Sequence, residues 1–325
     1  MRLIPIAVAT ASLAAAMPVV AADYPDSTQL RPAYSQDWSN GDDQIRFEFG
    51  TRYWYSWGNQ DAGFTVKSGG VTLGDVNLSV RDNTHLGELH GKIEDLTTQT
   101  YLKGIAGIGF STAGTYSISP ASSGSIGASS AIGYAGADFG WLPLGSMEQD
   151  TALGGFVGYQ YWKDAPDIGT GKYAASFAGG VPATVGDAKD NFDIHALRLG
   201  IKGEAALGDK LDVQAEVAAV PYAWVTGTMG GSAPNGFVLP GATVYERAPT
   251  ALTGHGYGAM GEMMVGFHPT ENLVLRVGGR AWYIQGDLEA AVKGYSGGAN
   301  IDLNLPSNFA RIFRYGALFE LTGKF

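Results

Sequence analysis

The 325-residue chain has no cysteine. That suits an exported protein needing no disulfides, and it equally suits many cytosolic proteins, so it settles no compartment. Beyond the N-terminus no run of about 18 apolar residues occurs, which excludes a transmembrane helix in the remainder and leaves a barrel as the only way to cross a membrane. Basic residues are outnumbered, 21 Lys and Arg against 31 Asp and Glu. The resulting net charge of −10 argues against nucleic acid as a partner, since that requires clustered Lys and Arg. The five histidines, at positions 85, 90, 195, 255 and 268, form no His-x3-His pair, so no tight metal site is indicated. The Gly-rich stretches Gly227 to Gly236 and Gly294 to Gly298 lack the lysine and strand-to-helix context of a phosphate-binding loop and read as loops. No Gly-x-Ser-x-Gly element stands between a strand and a helix, so a Ser-His-Asp site is unsupported. No cofactor is called for.

What is present begins with a secretory pattern. Arg2 precedes an apolar stretch from Leu3 to Val20, and Val20-Ala21-Ala22 fits a signal-peptidase site ahead of Asp23. Pro5, Pro18 and the polar Asp23-Tyr24-Pro25-Asp26 argue against a retained anchor. The expected organisation is a signal peptide at 1–22, a periplasmic segment at 23–43 and a barrel at 44–325. Forty-eight glycines, 11% aromatics and a mean hydropathy of −0.01 suit strands with one apolar and one polar face.

A period of two runs through the chain. Phe313, Tyr315, Ala317, Phe319, Leu321, Gly323 and Phe325 share a face opposed by Arg314, Glu320 and Lys324. Ile45, Phe47, Phe49, Tyr53, Tyr55 and Trp57 oppose Arg46, Glu48, Arg52 and Trp54, and similar alternations run over 195–202, 211–219 and 273–283. Short connections are read at Ile93-Glu94-Asp95-Leu96, Leu142 to Asp150, Gly208-Asp209-Lys210 and Pro269-Thr270-Glu271-Asn272, with long Gly- and Ser-rich stretches between them. Short turns at one end and long loops at the other are what an all-β transmembrane antiparallel barrel needs, with both termini periplasmic. The expected strands, about ten in number, are 44–58, 78–93, 99–112, 131–142, 151–163, 191–207, 211–228, 254–268, 273–289 and 309–325.

The phase of that alternation puts a mixed set of charges inside: Arg46, Glu48, Arg52, Glu88, Lys92, Lys103, Asp138, Arg198, Lys202, Glu204, Glu216, Glu262, Arg276, Arg280, Arg314 and Glu320. In so narrow a barrel opposite charges are expected to pair across the lumen and fill it. The rival is a small porin whose charges form a selective constriction. Asp193 and His195 share a face, but that face continues into Leu197, Leu199 and Ile201, which points to lipid. Tyr53, Tyr55, Trp57, Tyr159, Tyr161, Tyr283 and Tyr315 suit an interfacial girdle.

The terminal Phe325 resembles the C-terminal signal that barrel-assembly machinery reads. The order of strands and turns resembles the omptin fold, a ten-strand outer-membrane barrel whose best-known members are surface endopeptidases. The resemblance rests on Tyr134 to Trp141 leading to Gly154 to Tyr161, on His195 to Val217, on Val265 to Asn272 and on Tyr315 to Phe325. Gly87 to Gly91 and Arg198-Leu199-Gly200 resemble segments of omptin-like proteins of alphaproteobacteria that mostly have no assigned activity. The resemblance implies proteolysis by an Asp pair facing an Asp-His pair across the outer rim, with a water between them. Here the first corresponding loop, Ser111 to Ser130, has no Asp or Glu, and the second, Gly227 to Thr253, offers Glu246 and no His. The expectation is therefore an outer-membrane barrel with a structural or surface-interaction role, touching outer-membrane lipid and lipopolysaccharide. A divergent peptidase would have to use loop carboxylates such as Asp61, Asp75, Asp164, Asp167, Asp187 and Asp190.

Overall fold

The computed structural model describes residues 45–68, 71–119, 122–126, 131–146, 151–165, 174–175, 183–184, 191–229, 237–239, 242–246, 250–296 and 298–325. The expected signal peptide and periplasmic segment lie outside these residues. Ten long strands form the fold among the described residues: β1 Ile45–Ser68, β2 Val71–Asp95, β3 Thr100–Ser119, β4 Ala131–Ser146, β5 Thr151–Ala165, β6 Asn191–Ala206, β7 Leu211–Met229, β8 Thr250–Thr270, β9 Leu273–Ser296 and β10 Ala299–Lys324. Each pairs antiparallel with the next, and β10 pairs with β1, so the sheet closes and no long strand keeps an open edge. Closure is sealed by Phe47 and Phe325, which exchange backbone hydrogen bonds of 3.0 and 2.8 Å. Short strands such as Ser122–Ile126 and Ala242–Glu246 add to the end opposite Ile45 and Phe325, here called the rim. The end carrying Ile45 and Phe325 is the base.

Side chains alternate across the wall. Outward positions near the base are exposed and apolar, among them Phe47, Phe49, Leu89, Leu102, Phe139, Val157, Leu199, Ile201, Val217, Val277 and Phe319, while their inward neighbours are buried and charged. This belt ends in a ring of aromatic and histidine side chains. Tyr53 meets His85 at 2.5 Å and Tyr159 meets His195 at 2.6 Å through Tyr Oη and His Nδ1, Tyr222 stacks on His255, and Trp57 on Tyr315.

The strands are longer than the alternation of apolar outward residues suggests. They run 15 to 26 residues, where roughly 9–11 would cross a bilayer. Beyond the aromatic ring the polarity inverts. Asn59, Asp61, Ser79, Arg81 and Arg311 now lie outward, and Ala62, Phe64, Leu78 and Val80 are buried inside. The period of two persists with its sign reversed, and the strands continue past the expected limits at 58, 78 and 309.

Four expected connections also shift. Pro269 and Thr270 belong to β8, leaving 271–272 as that turn. Ile93–Asp95 belong to β2 and the turn is 96–99, where Asp95 Oδ1 accepts from the Thr97 and Thr98 amides at 2.8 and 3.3 Å. Strand β4 continues past Leu142 to Ser146 through an irregularity between Trp141 and Leu144, and Gly294 to Ser296 are strand residues of β9. Gly208-Asp209-Lys210 is a turn, with Gly208 at φ +81° where a side chain would be strained.

Leu199→Arg puts a cation in the middle of the apolar belt. The substitution is expected to destabilise the folded barrel by about 2–4 kcal/mol in lipid vesicles, measured by reversible denaturant unfolding, whereas the same change at outward Ser79 stays within about 1 kcal/mol.

Candidate functional site

The inward charges of the base half pair in three groups. Nearest the base, Arg46 and Lys92 converge on Glu94, the Lys92 contact being 3.2 Å, and Glu204 takes Lys202 at 2.7 Å and Lys92 at 3.4 Å. Glu48 lies 3.9 Å from Arg46. Arg276 joins Asp212 at 3.2 Å to Glu320 at 2.6 Å, and His268 Nε2 lies 2.6 Å from Asp212. Higher up, Arg52 contacts Glu320, Glu88 at 2.9 Å and Glu262 at 3.3 Å. Arg280 takes Glu88 at 2.7 Å and Glu262 at 2.6 Å from the opposite side. Arg198 donates to Asp138 at 3.0 Å and Glu216 at 3.1 Å, and Lys103 donates to Glu216 at 2.8 Å. Glycine makes room for this pairing: a Cβ at Gly158 would stand 1.8 Å from Asp138 Oδ1.

An aromatic layer caps the network. Trp54 and Trp282 meet edge to face at 4.8 Å, Tyr134 and Trp282 at 4.9 Å, and Trp162 and Trp282 at 5.5 Å. The Arg280 guanidinium lies 5.2, 5.3 and 5.8 Å from the ring centres of Trp54, Trp282 and Tyr134, while the Tyr134 hydroxyl donates to Glu88 at 2.6 Å. One guanidinium thus combines two ion pairs with three aromatic contacts, an arrangement suited to the flat, weakly hydrated arginine and not to lysine. Between the two layers a cavity of about 10 Å³ is lined by Lys103, Gln160, Arg198, Glu216, Glu262 and Arg280. That is room for one water molecule and for no larger solute.

Above the aromatic layer Arg314 donates to both oxygens of Asp82 at 2.8 Å and to Asp164 at 3.2 Å, and the Gln60 amide donates to Asp164 at 2.6 Å. A Cβ at Gly58 would stand 2.2 Å from Asp82 Oδ2. On the outer surface Asp61 accepts from Arg81 at 2.8 Å, Ser79 at 2.9 Å and Arg311 at 3.1 Å. Burial opposes ionisation there, but these bonds outweigh it and hold the carboxyl below its ordinary value.

Every inward charge expected from the alternation, from Arg46 to Glu320, makes at least one ion pair with another inward residue. Sequence reasoning missed Glu94, taken as a turn residue, and the inward Asp82 and Asp164, and it placed Asp212 on the inward face of 211–219 without counting it among the lumen charges. All four keep the phase of their strands, which is the signal that could have found them. Asp61 and Asp75 are strand residues and not loop residues, Asp75 accepting from Thr65 at 2.7 Å, and Asp164 is buried. Asp167, Asp187 and Asp190 lie outside the described residues. Asp193 and His195 sit on the outer surface, with Tyr161 donating to Asp193. Among the described residues no group of three or more His, Asp or Glu could hold a metal ion.

No family model matches the chain, and no curated protein matches it. Among solved structures it is similar to the outer membrane protease OmpT from Escherichia coli, with a TM-score of 0.53 and 11% identity, over 87% of this chain and 96% of that one. The translocator domain of the autotransporter NalP from Neisseria meningitidis aligns with a TM-score of 0.33 and 13% identity, over 82% of this chain and 88% of that one. The likeness to OmpT is one of fold: an omptin-like antiparallel barrel.

Arg280→Met leaves Glu88 and Glu262 in excess within a dry interior and is expected to cost about 3–5 kcal/mol of unfolding free energy. Replacing Glu88 and Glu262 by Gln in the same chain should recover most of that loss. Equal stability of the single variant and the parent in denaturant titrations would show that the network is not closed around Arg280.

Proposed function

We propose that the chain is an outer-membrane β-barrel protein, exported by a signal peptide cleaved after Ala22, whose lumen is sealed and whose role is structural or one of surface interaction. The observation that carries this reading is the filled lumen: reciprocal ion pairs under an aromatic layer, with a central cavity of about 10 Å³. A fixed network of this kind resists conduction, because a permeating ion would have to break charge pairs packed in a space too narrow for bulk water. The apolar belt and its aromatic ring fit a bilayer, with the base periplasmic and the rim outside. In this reading the assembly machinery recognises the exposed Phe325 on the closing strand. Arg81 and Arg311, outward and just beyond the ring, face the phosphates of outer-leaflet lipid or lipopolysaccharide. Proteolysis of the omptin type is not part of the reading: the loop matching the Asp pair has no acid, and the loop matching the Asp-His pair has no His.

Purified from Asp23 onward and inserted into planar bilayers, the protein should give heat-modifiable gel migration and no discrete current steps. Steady, ion-selective openings, altered by changing Glu262 or Arg280, would replace this reading with a narrow porin.

A further inference from the structure

Two of the three groups of ion pairs in the base half border the same small space. The cavity of about 10 Å³ is lined by Glu262 and Arg280, which pair with Arg52 and Glu88, and by Lys103, Arg198 and Glu216, which pair among themselves and with Asp138. Gln160 of β5 completes its polar lining. Across the strand pair β7 and β8, Glu216 and Glu262 stand directly opposite each other, like charges that a hydrogen-bond donor between them would ease.

Gln160 is only 1% exposed, and neither its Oε1 nor its Nε2 has a hydrogen-bond partner among the described residues. Arg198, which also lines the cavity, keeps its Nε–H unpaired in the same way. A buried amide without partners is costly, and such groups are satisfied by protein or by ordered water. The lining charges, by contrast, are engaged: Lys103 and Arg198 with Glu216, and Arg280 with Glu262. Counting Asp138 on Arg198, three cations stand against three carboxylates, and the Arg52–Glu88 pair behind them leaves that balance unchanged. An ion placed here would lack a counter-charge in a dry surrounding, so the space suits a neutral occupant. It must also be no larger than one water, and both donate and accept.

We infer that this cavity is the binding site of a single water molecule, held by the Gln160 amide and Arg198 Nε and donating to the Glu262 carboxylate. The water joins two groups of charges that the ion pairs leave separate, and Gln160 is the residue that positions it. The inference rests on the sealed-lumen reading, because an open lumen would put exchanging bulk water in the same place, and conductance reports on that reading separately.

The test is diffraction from crystals of the folded protein, at a resolution that shows ordered water, before and after soaking in rubidium bromide. One peak within about 3.2 Å of Gln160 Oε1 or Nε2, with no anomalous signal from either ion, is expected. A dry cavity in a barrel that does not conduct would overturn the inference alone, as would an anomalous peak at the site. A file of waters from the cavity to bulk solvent, with current steps in planar bilayers, would overturn the isolated site and the sealed lumen together. Gln160→Met supplies a second readout, because it keeps the length of the side chain and removes both amide atoms. With heat-modifiable migration retained, its unfolding equilibrium in denaturant titration should shift about tenfold toward the unfolded state, the water having lost its anchor. A dry cavity reverses the sign, since the same change then removes unpaired polar atoms, so stability equal to or above that of the parent would contradict the inference.

Discussion

The guanidinium of Arg280 is the point on which the interior turns. It lies where Glu88 and Glu262 reach in from β2 and β8 and where Trp54, Tyr134 and Trp282 close over them. A ring of ten strands leaves too little space for bulk water, so every charge pointing inward needs a protein partner within reach. Arg52 repeats the arrangement from the other side, sharing Glu88 and Glu262 and passing the chain of pairs on to Glu320 and Arg276. Truncating one member therefore leaves a neighbour uncompensated. Non-local pairing of this kind ties strands that are far apart in sequence, such as β2 and β9, across the barrel in addition to the hydrogen bonds around it.

The second constraint is the change of surroundings along each strand. Near the base the outside is apolar and the inside charged, and past the Tyr, Trp and His ring the outside is polar and the inside apolar. One backbone pattern serves both regions because the pleat separates inner from outer side chains wherever it runs. The result is a two-storey interior: an ionic layer at the depth of the belt and an apolar layer at the rim, with the aromatic side chains between them. In the proposed reading the lower storey closes the lumen to solutes.

How much of this the sequence disclosed depends on which half is considered. In β10, Phe313 to Phe325 against Arg314, Glu320 and Lys324 displays the apolar-out, charged-in phase openly, and the same phase identifies Arg46, Arg52, Glu262 and Arg280 as inward. The rim half was legible only if the alternation was followed through a reversal of sign. Asp61 and Asp75 read as loop acids because polar residues beyond an apolar run usually mean that the strand has ended. Trp162 and Tyr134 gave no sign that they would meet Trp282 edge to face, since that contact joins β4, β5 and β9 and has no local pattern. The partners within the ionic network were likewise beyond periodicity, which fixes a side but not a neighbour.

The absence of cysteine makes the proposed sealing of the lumen directly measurable. Ala218 is inward and buried in the base half, beside Tyr101 and Phe156, whereas Val217 and Ala219 are on the outer surface. With Ala218→Cys as the single thiol, a small charged methanethiosulfonate applied to the folded protein in lipid reports whether water reaches the lumen. A sealed lumen predicts no labelling until the barrel is unfolded in denaturant. Rapid labelling of the folded form would contradict it.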